Sequence, residues 1–231
     1  MLSANKACGV TTVTDPYYSS VSLLLPMSAN FTDYSSSPKT ISNTNATISS
    51  AQYVFPPASG YFSGSGAYLS YQSPGVKPSV IDFVLDTTST GTIEFWVFVP
   101  GLANNSILSI GECYWNFGLT SGGNLSLYWW TGSANTITYT SGITSNTWVY
   151  IAFVKSTNVV QIFVNGISKG SQNVTSVSWG TAAYGDTLRI GHTAGISVSD
   201  LNGYLSNLRI TKGVARYTSD FTPPTAPFPT S

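Results

Sequence analysis

The chain is expected to be an all-β protein built as two packed antiparallel sheets, and three observations carry that expectation. Apolar residues recur in short runs of alternating character, bounded by Gly, Asn, Ser and Pro, which is the signature of strands and turns. Apolar spacing at three to four residues over helical lengths is almost absent. The 231 residues include 14 Tyr, 11 Phe and 6 Trp within a hydrophobic fraction of 42%, enough for a large core and for a single sandwich domain.

The strands follow in chain order. "VSLLL" (21–25), "YLSY" (68–71) and "IDFVL" (81–85) come first, then "TIEFWVFV" (92–99), "SILSIG" (106–111), "YWNFGL" (114–119) and "NLSLYWW" (124–130). "TITYT" (136–140), "WVYIAFVK" (148–155), "VVQIFVNG" (159–166), "TLRIG" (187–191) and "YLSNLRIT" (204–211) complete the set. In "TIEFWVFV", Ile93, Phe95, Val97 and Val99 share one face and Thr92, Glu94, Trp96 and Phe98 the other, because strand side chains alternate. Both faces are largely apolar, so this strand is expected to be central and covered, as is "WVYIAFVK". "FVKSTNVVQIFVNG" predicts a hairpin turning at Ser156 to Asn158 and ending in an Asn165-Gly166 turn. In the last strand Tyr204, Ser206, Leu208 and Ile210 are expected to alternate with Leu205, Asn207 and Arg209. Lys212-Gly213 ends it, and "VARYT" (214–218) is expected to form one short helical turn.

The ends differ from the body. Residues 1–20 are polar and patternless up to Asp15-Pro16 and are expected to form an arm for docking or tethering. Residues 221–231 hold four of the twelve prolines and are expected to form a tail that cannot continue a sheet interior. Residues 21–220 are the sandwich.

Charge is scarce: 8% of residues, nine acidic and nine basic, with net charge zero, against about 25% charged in ordinary soluble proteins. That balance removes an electrostatic case for nucleic acid or an anionic membrane as partner and favours association with other protein. No apolar run approaches the ~20 residues of a membrane-spanning helix. No apolar stretch follows Lys6 as in a secretory leader, so synthesis in a cytoplasm is expected. Cys8 and Cys113 leave a bridge open and read first as two unpaired thiols, and the sequons at Asn30, Asn45, Asn104, Asn124 and Asn173 read as products of a chain rich in Asn, Ser and Thr. Three of the nine basic residues, Arg209, Lys212 and Arg216, fall close together, as a ligand site or as part of how the fold closes.

Several segments resemble the laminin-G-like branch of the concanavalin A-like lectin/glucanase superfamily, in the form common in bacteriophage structural proteins. They are "DPYYSSVSLLLPM", "ASGYFSGSGAYLSY", "GTIEFWVFVP", "NTWVYIAFVKSTNVVQIFVNG", "TLRIGH" and, most specifically, "LNGYLSNLRITKGVARYTSDFTPPTAPFP". The resemblance covers residues 15–229 and implies a jelly-roll sandwich in which the Arg209, Lys212 and Arg216 segment is a structural closure.

Because the superfamily contains glucanases, catalysis has to be tested against the residues. Glycoside hydrolysis normally needs two carboxylates, which the glucanase relatives set at alternate positions on one strand. Here Glu94 is followed at those positions by Trp96 and Phe98, and the other Glu, Glu112, lies elsewhere, so no catalytic pair is expected. "GISKG" (166–170) matches the nucleophile pattern around Ser168, with Asp186 and His192 following in hydrolase order, but a strand-to-helix elbow is not on offer. One His and two distant Cys do not make a zinc set. Some laminin-G relatives bind calcium, and "SDLNG" (199–203) or "DFVLD" (82–86) could contribute oxygens, without a recognisable ligand spacing; no cofactor is expected.

The functional expectation is a non-enzymatic virion protein of a bacteriophage, displayed on the particle surface and bound to other virion proteins, as capsid decoration first and a tail or fibre component second. Homo-oligomerisation is expected with it. The alternative is an adhesion module for host surface glycan. Concanavalin A-like modules stack sugars on aromatics, and Tyr128, Trp129 and Trp130 stand at a strand end as glycan or interface contacts.

Overall fold

The computed structural model describes residues 14–72, 90–111, 115–130, 133–174, 187–193 and 199–231. One 3-10 turn (Tyr18–Ser20) precedes sixteen strands: β1 (Val21–Leu25), β2 (Ser42–Thr44), β3 (Thr47–Ser49), β4 (Ser59–Ser63), β5 (Tyr68–Gln72), β6 (Gly91–Phe98), β7 (Asn105–Ile110) and β8 (Trp115–Leu119), then β9 (Leu125–Trp130), β10 (Ala134–Tyr139), β11 (Trp148–Ser156), β12 (Val159–Val164), β13 (Ile167–Asn173), β14 (Thr187–Ile190), β15 (Ser199–Asp200) and β16 (Asn202–Lys212). Sheet 1 runs β13-β12-β11-β6-β16-β4-β3, with β1 also on β16. Sheet 2 runs β10-β9-β8-β7-β14-β5-β2, with β15 on β7. Only β15 on β7 is parallel among these pairings. The expected segment 81–85 lies outside the described residues, as do Cys8, Glu112, Cys113 and Asp186.

The two sheets bury one core between their inner faces. Ile93, Phe95 and Val97 of β6 and Val149, Ile151 and Phe153 of β11 meet Trp115, Phe117 and Leu119 of β8 and Leu125, Leu127 and Trp129 of β9. Rings interlock across the gap, with Phe117 6.2 Å from Phe95 and 5.6 Å from Phe153. A second apolar cluster lies on the outer face of sheet 1, where Val21, Leu24, Tyr150, Ala152, Val154, Phe163 and Phe228 pack with Trp96, Tyr217 and Phe221. The central strands are therefore apolar on both faces because both are covered, as the sequence predicts. The hairpin β11–β12–β13 also has its expected turns, with Asn165 and Gly166 at φ 51° and 79°, the left-handed pair of a tight two-residue turn.

The simple alternation expected for the last strand does not hold. Ser206 pairs with Trp96 and Arg209 with Glu94, so Asn207 and Leu208 together oppose Phe95. This is a β-bulge, with Asn207 in the left-handed region at φ 50°, a conformation Asn tolerates better than most residues. The extra residue resets the phase, and Leu205, Leu208 and Ile210 all reach the inner core while Arg209 turns outward. Nor does "VARYT" form a helical turn: residues 214–217 are irregular, because Thr92 Oγ1 holds them to β6 by donating to Val214 O and accepting from Arg216 N.

The boundaries drawn from composition at 20 and 221 cut through continuous packing. Asp15 N donates to Ser231 O at 3.0 Å, and Phe221 N donates to Gly166 O at 2.9 Å. Phe228 is 6% exposed, its N–H held by Asn207 Oδ1 at 3.0 Å. Asp15, and the proline-rich segment at Phe221, Phe228 and Ser231, are thus part of the closure of sheet 1. No helix among the described residues is long and apolar enough to cross a membrane.

Candidate functional site

Three of the charged residues singled out in the sequence, Glu94, Arg209 and Arg216, converge on the outer face of sheet 1. Glu94 sits on β6 with its side chain fully buried. Its Oε1 accepts from Arg209 Nε and Nη2, both at 2.8 Å, and Oε2 accepts from Tyr217 Oη at 2.7 Å and from Tyr150 Oη. Asp15 Oδ2 accepts from Arg209 Nη1 at 2.9 Å and Arg216 Nη2 at 2.7 Å, and Oδ1 from Arg216 Nη1 at 3.0 Å. Arg216 Nε donates to Thr211 Oγ1 at 2.7 Å. The Phe228 ring covers Arg209, 3.7 Å from the guanidinium carbon.

Two carboxylates and two guanidiniums cancel, and their hydrogen bonds are satisfied internally, which is the condition for burying charge. Burial alone would raise the Asp15 carboxyl; the hydrogen bonds from Arg216 and the Tyr17 N–H, and the Arg216 and Arg209 charges, hold it below its usual value. Burial and then the Glu94 charge push the Tyr150 and Tyr217 hydroxyls up, so both donate to Glu94 as neutral phenols. Arg209 and Arg216 are therefore closure residues. Lys212 ends β16, half-buried. Glu94 has neither exposure nor a free oxygen for general acid or base chemistry.

The outer face of sheet 2 is different. Cross-strand pairing aligns Ser42 with Ser70, Ser70 with Arg189, Arg189 with Ser109, Ser109 with Asn116, Asn116 with Tyr128 and Tyr128 with Thr136. This row of polar side chains crosses all seven strands of the sheet's main path. Its ends, Ser42 and Thr136, are exposed; Ser70, Arg189 and Tyr128 are half-buried; Ser109 and Asn116 in the middle are buried. Asn116 Nδ2 donates to Ser106 Oγ at 2.6 Å, Ser109 Oγ to His192 O at 2.7 Å, and Arg189 Nη1 to Gly111 O at 3.2 Å. With Ser109 and Asn116 buried and engaged, the exposed and half-buried members offer hydroxyl, guanidinium and phenol groups with one formal charge, suited to hydrogen-bonding a neutral polyhydroxylated ligand against an aromatic ring.

The aromatic trio is not one site. Trp129 is 6% exposed and belongs to the inner core, because its place in β9 puts it in phase with Leu125 and Leu127; it cannot stack a sugar. Tyr128 points the other way, into the polar row. Trp130 closes β9, and its side chain is outside those described. Reading the polar phase of "SILSIG", "YWNFGL", "TITYT" and "TLRIG" together would have found Ser109, Asn116, Thr136 and Arg189, which the sequence reading passed over.

The remaining candidates separate. Ser168 lies on β13 in sheet 1, its Oγ accepting from Gln161 Nε2 at 3.0 Å, while His192 follows β14 in sheet 2, so they form no hydrolytic triad. His192 Nδ1 lies 2.5 Å from Asp200 Oδ1, and Asp200 Oδ2 accepts from Gly66 N at 2.8 Å, so both Asp200 oxygens are engaged. No group of three or more His, Cys, Asp and Glu that could hold a metal occurs among the described residues, and 82–86 lies outside them.

Residues 66–216 match a laminin G-type model of the concanavalin A-like lectin/glucanases superfamily. No curated protein sequence is significantly similar to the chain. Among solved structures, the fold resembles botulinum neurotoxin type C, in work on cell entry through two ganglioside molecules, at 16% identity and TM-score 0.63, covering 84% of this chain and 48% of that one. It also resembles the serotype D binding domain, at 13% identity and TM-score 0.61, covering 90% and 50%. The binding domain of neurotoxin DC in complex with rat synaptotagmin II gives 14%, 0.62, 84% and 48%. The chain thus spans about half of each neighbour, and at these identities the likeness shows the fold alone. With the matched family model covering well over half its length, this chain belongs to the concanavalin A-like lectin/glucanase superfamily, in its laminin G-type branch.

Proposed function

We propose that this chain is a non-catalytic recognition module that binds carbohydrate on the outer face of sheet 2. The observation that carries the reading is the polar row from Ser42 to Thr136, in which Arg189 is the one charged member and Tyr128 stands beside Asn116, on the face opposite the one the ion network closes. Its superfamily includes lectins, and the neurotoxin neighbours, of which this chain spans about half, include one whose cell entry depends on gangliosides. The test is retention of the purified chain on immobilised host-cell polysaccharide. Wild type should be retained and Tyr128→Ala should lose retention at least about tenfold, as expected when a buried aromatic contact is removed; failure of wild type to bind any polysaccharide sinks the reading.

A second reading, compatible with the first, places the module on the surface of a bacteriophage virion, bound to other virion proteins as capsid decoration or as a tail or fibre component. What supports it is the resemblance of residues 15–229 to laminin-G-like domains of bacteriophage structural proteins, with residues 1–13 preceding Asp15, which lies on the sheet 1 side. An attachment there leaves the sheet 2 face turned away from the particle. The test is binding to isolated phage heads and tails by the full chain and by one lacking residues 1–13. The cut stops at 13 because Asp15 belongs to the closure. Binding that disappears with the truncation supports a docking arm, and no binding by either form removes this reading while leaving the carbohydrate one standing.

A further inference from the structure

A sandwich of two open sheets has four edges, and three of them are guarded. β2 and β3 are three residues each, too short to template a partner. β13 is seven residues long, but a register shift interrupts its pairing with β12 between Ile162 and Phe163. It carries Lys169, has Gly170 at φ 135°, and gives its Ser168 N–H to Asp220 Oδ1 at 2.8 Å. Bulges, lysines, short strands and covered edges are the usual devices against edge-to-edge pairing.

Among the described residues β10 shows none of them. Its six residues, Ala134 to Tyr139, pair with β9 in one unbroken register and include no charge, proline or glycine. None of them has a positive φ. Among the described residues no strand pairs along its far side. Nine acidic and nine basic residues leave the molecule without net charge, so two copies meet without net repulsion.

We propose that β10 is a self-association edge, pairing antiparallel with β10 of a second copy about a two-fold axis normal to sheet 2. A second copy is the occupant the chemistry favours, because an uncharged strand whose three central residues, Thr136, Ile137 and Thr138, are β-branched is complementary to itself. Such a symmetric pairing keeps inner faces with inner faces only when the numbers of opposed residues sum to an even value. Centred on Ile137, it sets Ile137 against its mate on the inner side and Thr136 against Thr138 of the second copy on the outer side, both favourable cross-strand pairs. It also brings Asn135 of the second copy across from Tyr139, whose buried hydroxyl finds no hydrogen-bond partner among the described residues. Sheet 2 then continues through the axis, and the polar rows of the two copies form one surface. The proposal does not rest on what that surface binds.

The test is sedimentation equilibrium of the full chain across about 10 to 500 μM, the range fitting an interface below standard size, with Thr136→Lys and, as a control on the guarded edge, Ser171→Lys. Wild type should dimerise, Thr136→Lys should weaken association at least about tenfold by setting charge into the seam, and Ser171→Lys should not change it. Thr136 is exposed, and each variant is checked for a cooperative melt; Thr138→Lys, on the same face, replaces it if it fails. A wild type that stays monomeric throughout, a dimer indifferent to Thr136→Lys and Thr138→Lys, or one that Ser171→Lys weakens equally, would overturn the proposal.

Discussion

On the outer face of sheet 1, Glu94 pairs with Arg209 across adjacent strands and the N- and C-terminal segments bring Asp15 and Arg216 to them under Phe228. On the outer face of sheet 2, the corresponding positions carry Ser70, Arg189, Ser109, Asn116 and Tyr128 in one cross-strand row. In the first case charge is buried, neutralised and consumed by the fold. In the second, Ser109 and Asn116 are buried and hydrogen-bonded within the sheet, and Ser70, Arg189 and Tyr128 leave half-buried polarity beside solvent with a single formal charge. The difference teaches that in this chain the conspicuous chemistry is architectural and the inconspicuous chemistry is what remains for a ligand.

The largest effect expected from breaking that contrast is at Arg209. Arg209→Leu leaves Glu94 buried opposite an apolar side chain and should cost about 3–5 kcal/mol, the range for removing one partner of a buried pair; denaturant titration measures it. Adding Glu94→Gln should recover part of the loss, because the orphaned charge goes with it. Phe228→Ala should cost about 3 kcal/mol, as for a buried ring replaced by a cavity, and also uncovers Arg209. If it costs nothing, the C-terminal segment is not part of the closure.

Acid offers a third way in. The folded-state Asp15 carboxyl is held below its usual value, so its contribution to stability is present above about pH 4, the unfolded value, and is lost as pH falls through the folded one. Asp15→Asn should start less stable at neutral pH and approach wild type as the pH falls below about 4. Melting temperatures across pH 2–7 check the sign, and parallel curves would remove Asp15 as a titrating contributor. The smallest effect on stability is expected at Tyr128→Ala, under about 1 kcal/mol for a half-buried site away from the core, although its effect on carbohydrate retention should be complete.

What could be read from the sequence follows from periodicity. β1 is bounded as the sequence marks it, and β6, β11 and the β12 turn were legible because two apolar faces or an Asn-Gly pair leave a strong local pattern. β2, β3, β4 and β13 were passed over because "SNT", "TIS", "SGYFS" and "ISKGSQN" are short or edge segments with few core positions to alternate. The phase change at Asn207 is a backbone event with no apolar signature. The structural role of the Arg209 and Arg216 segment came from resemblance. Their joint partner, Asp15, lies 194 residues from Arg209 in a segment that composition assigned to an arm. The polar row was legible in each strand singly, but its continuity depends on strand order, which local sequence does not encode.

The most direct test of the division between the two faces is one crossed measurement, thermal melting and polysaccharide retention on wild type, Arg209→Leu and Tyr128→Ala. Arg209→Leu should melt lower yet, while folded, be retained like wild type, and Tyr128→Ala should melt like wild type and not be retained. Full stability with lost retention in Arg209→Leu would contradict the account and make the buried ion network, rather than the polar row, the binding site.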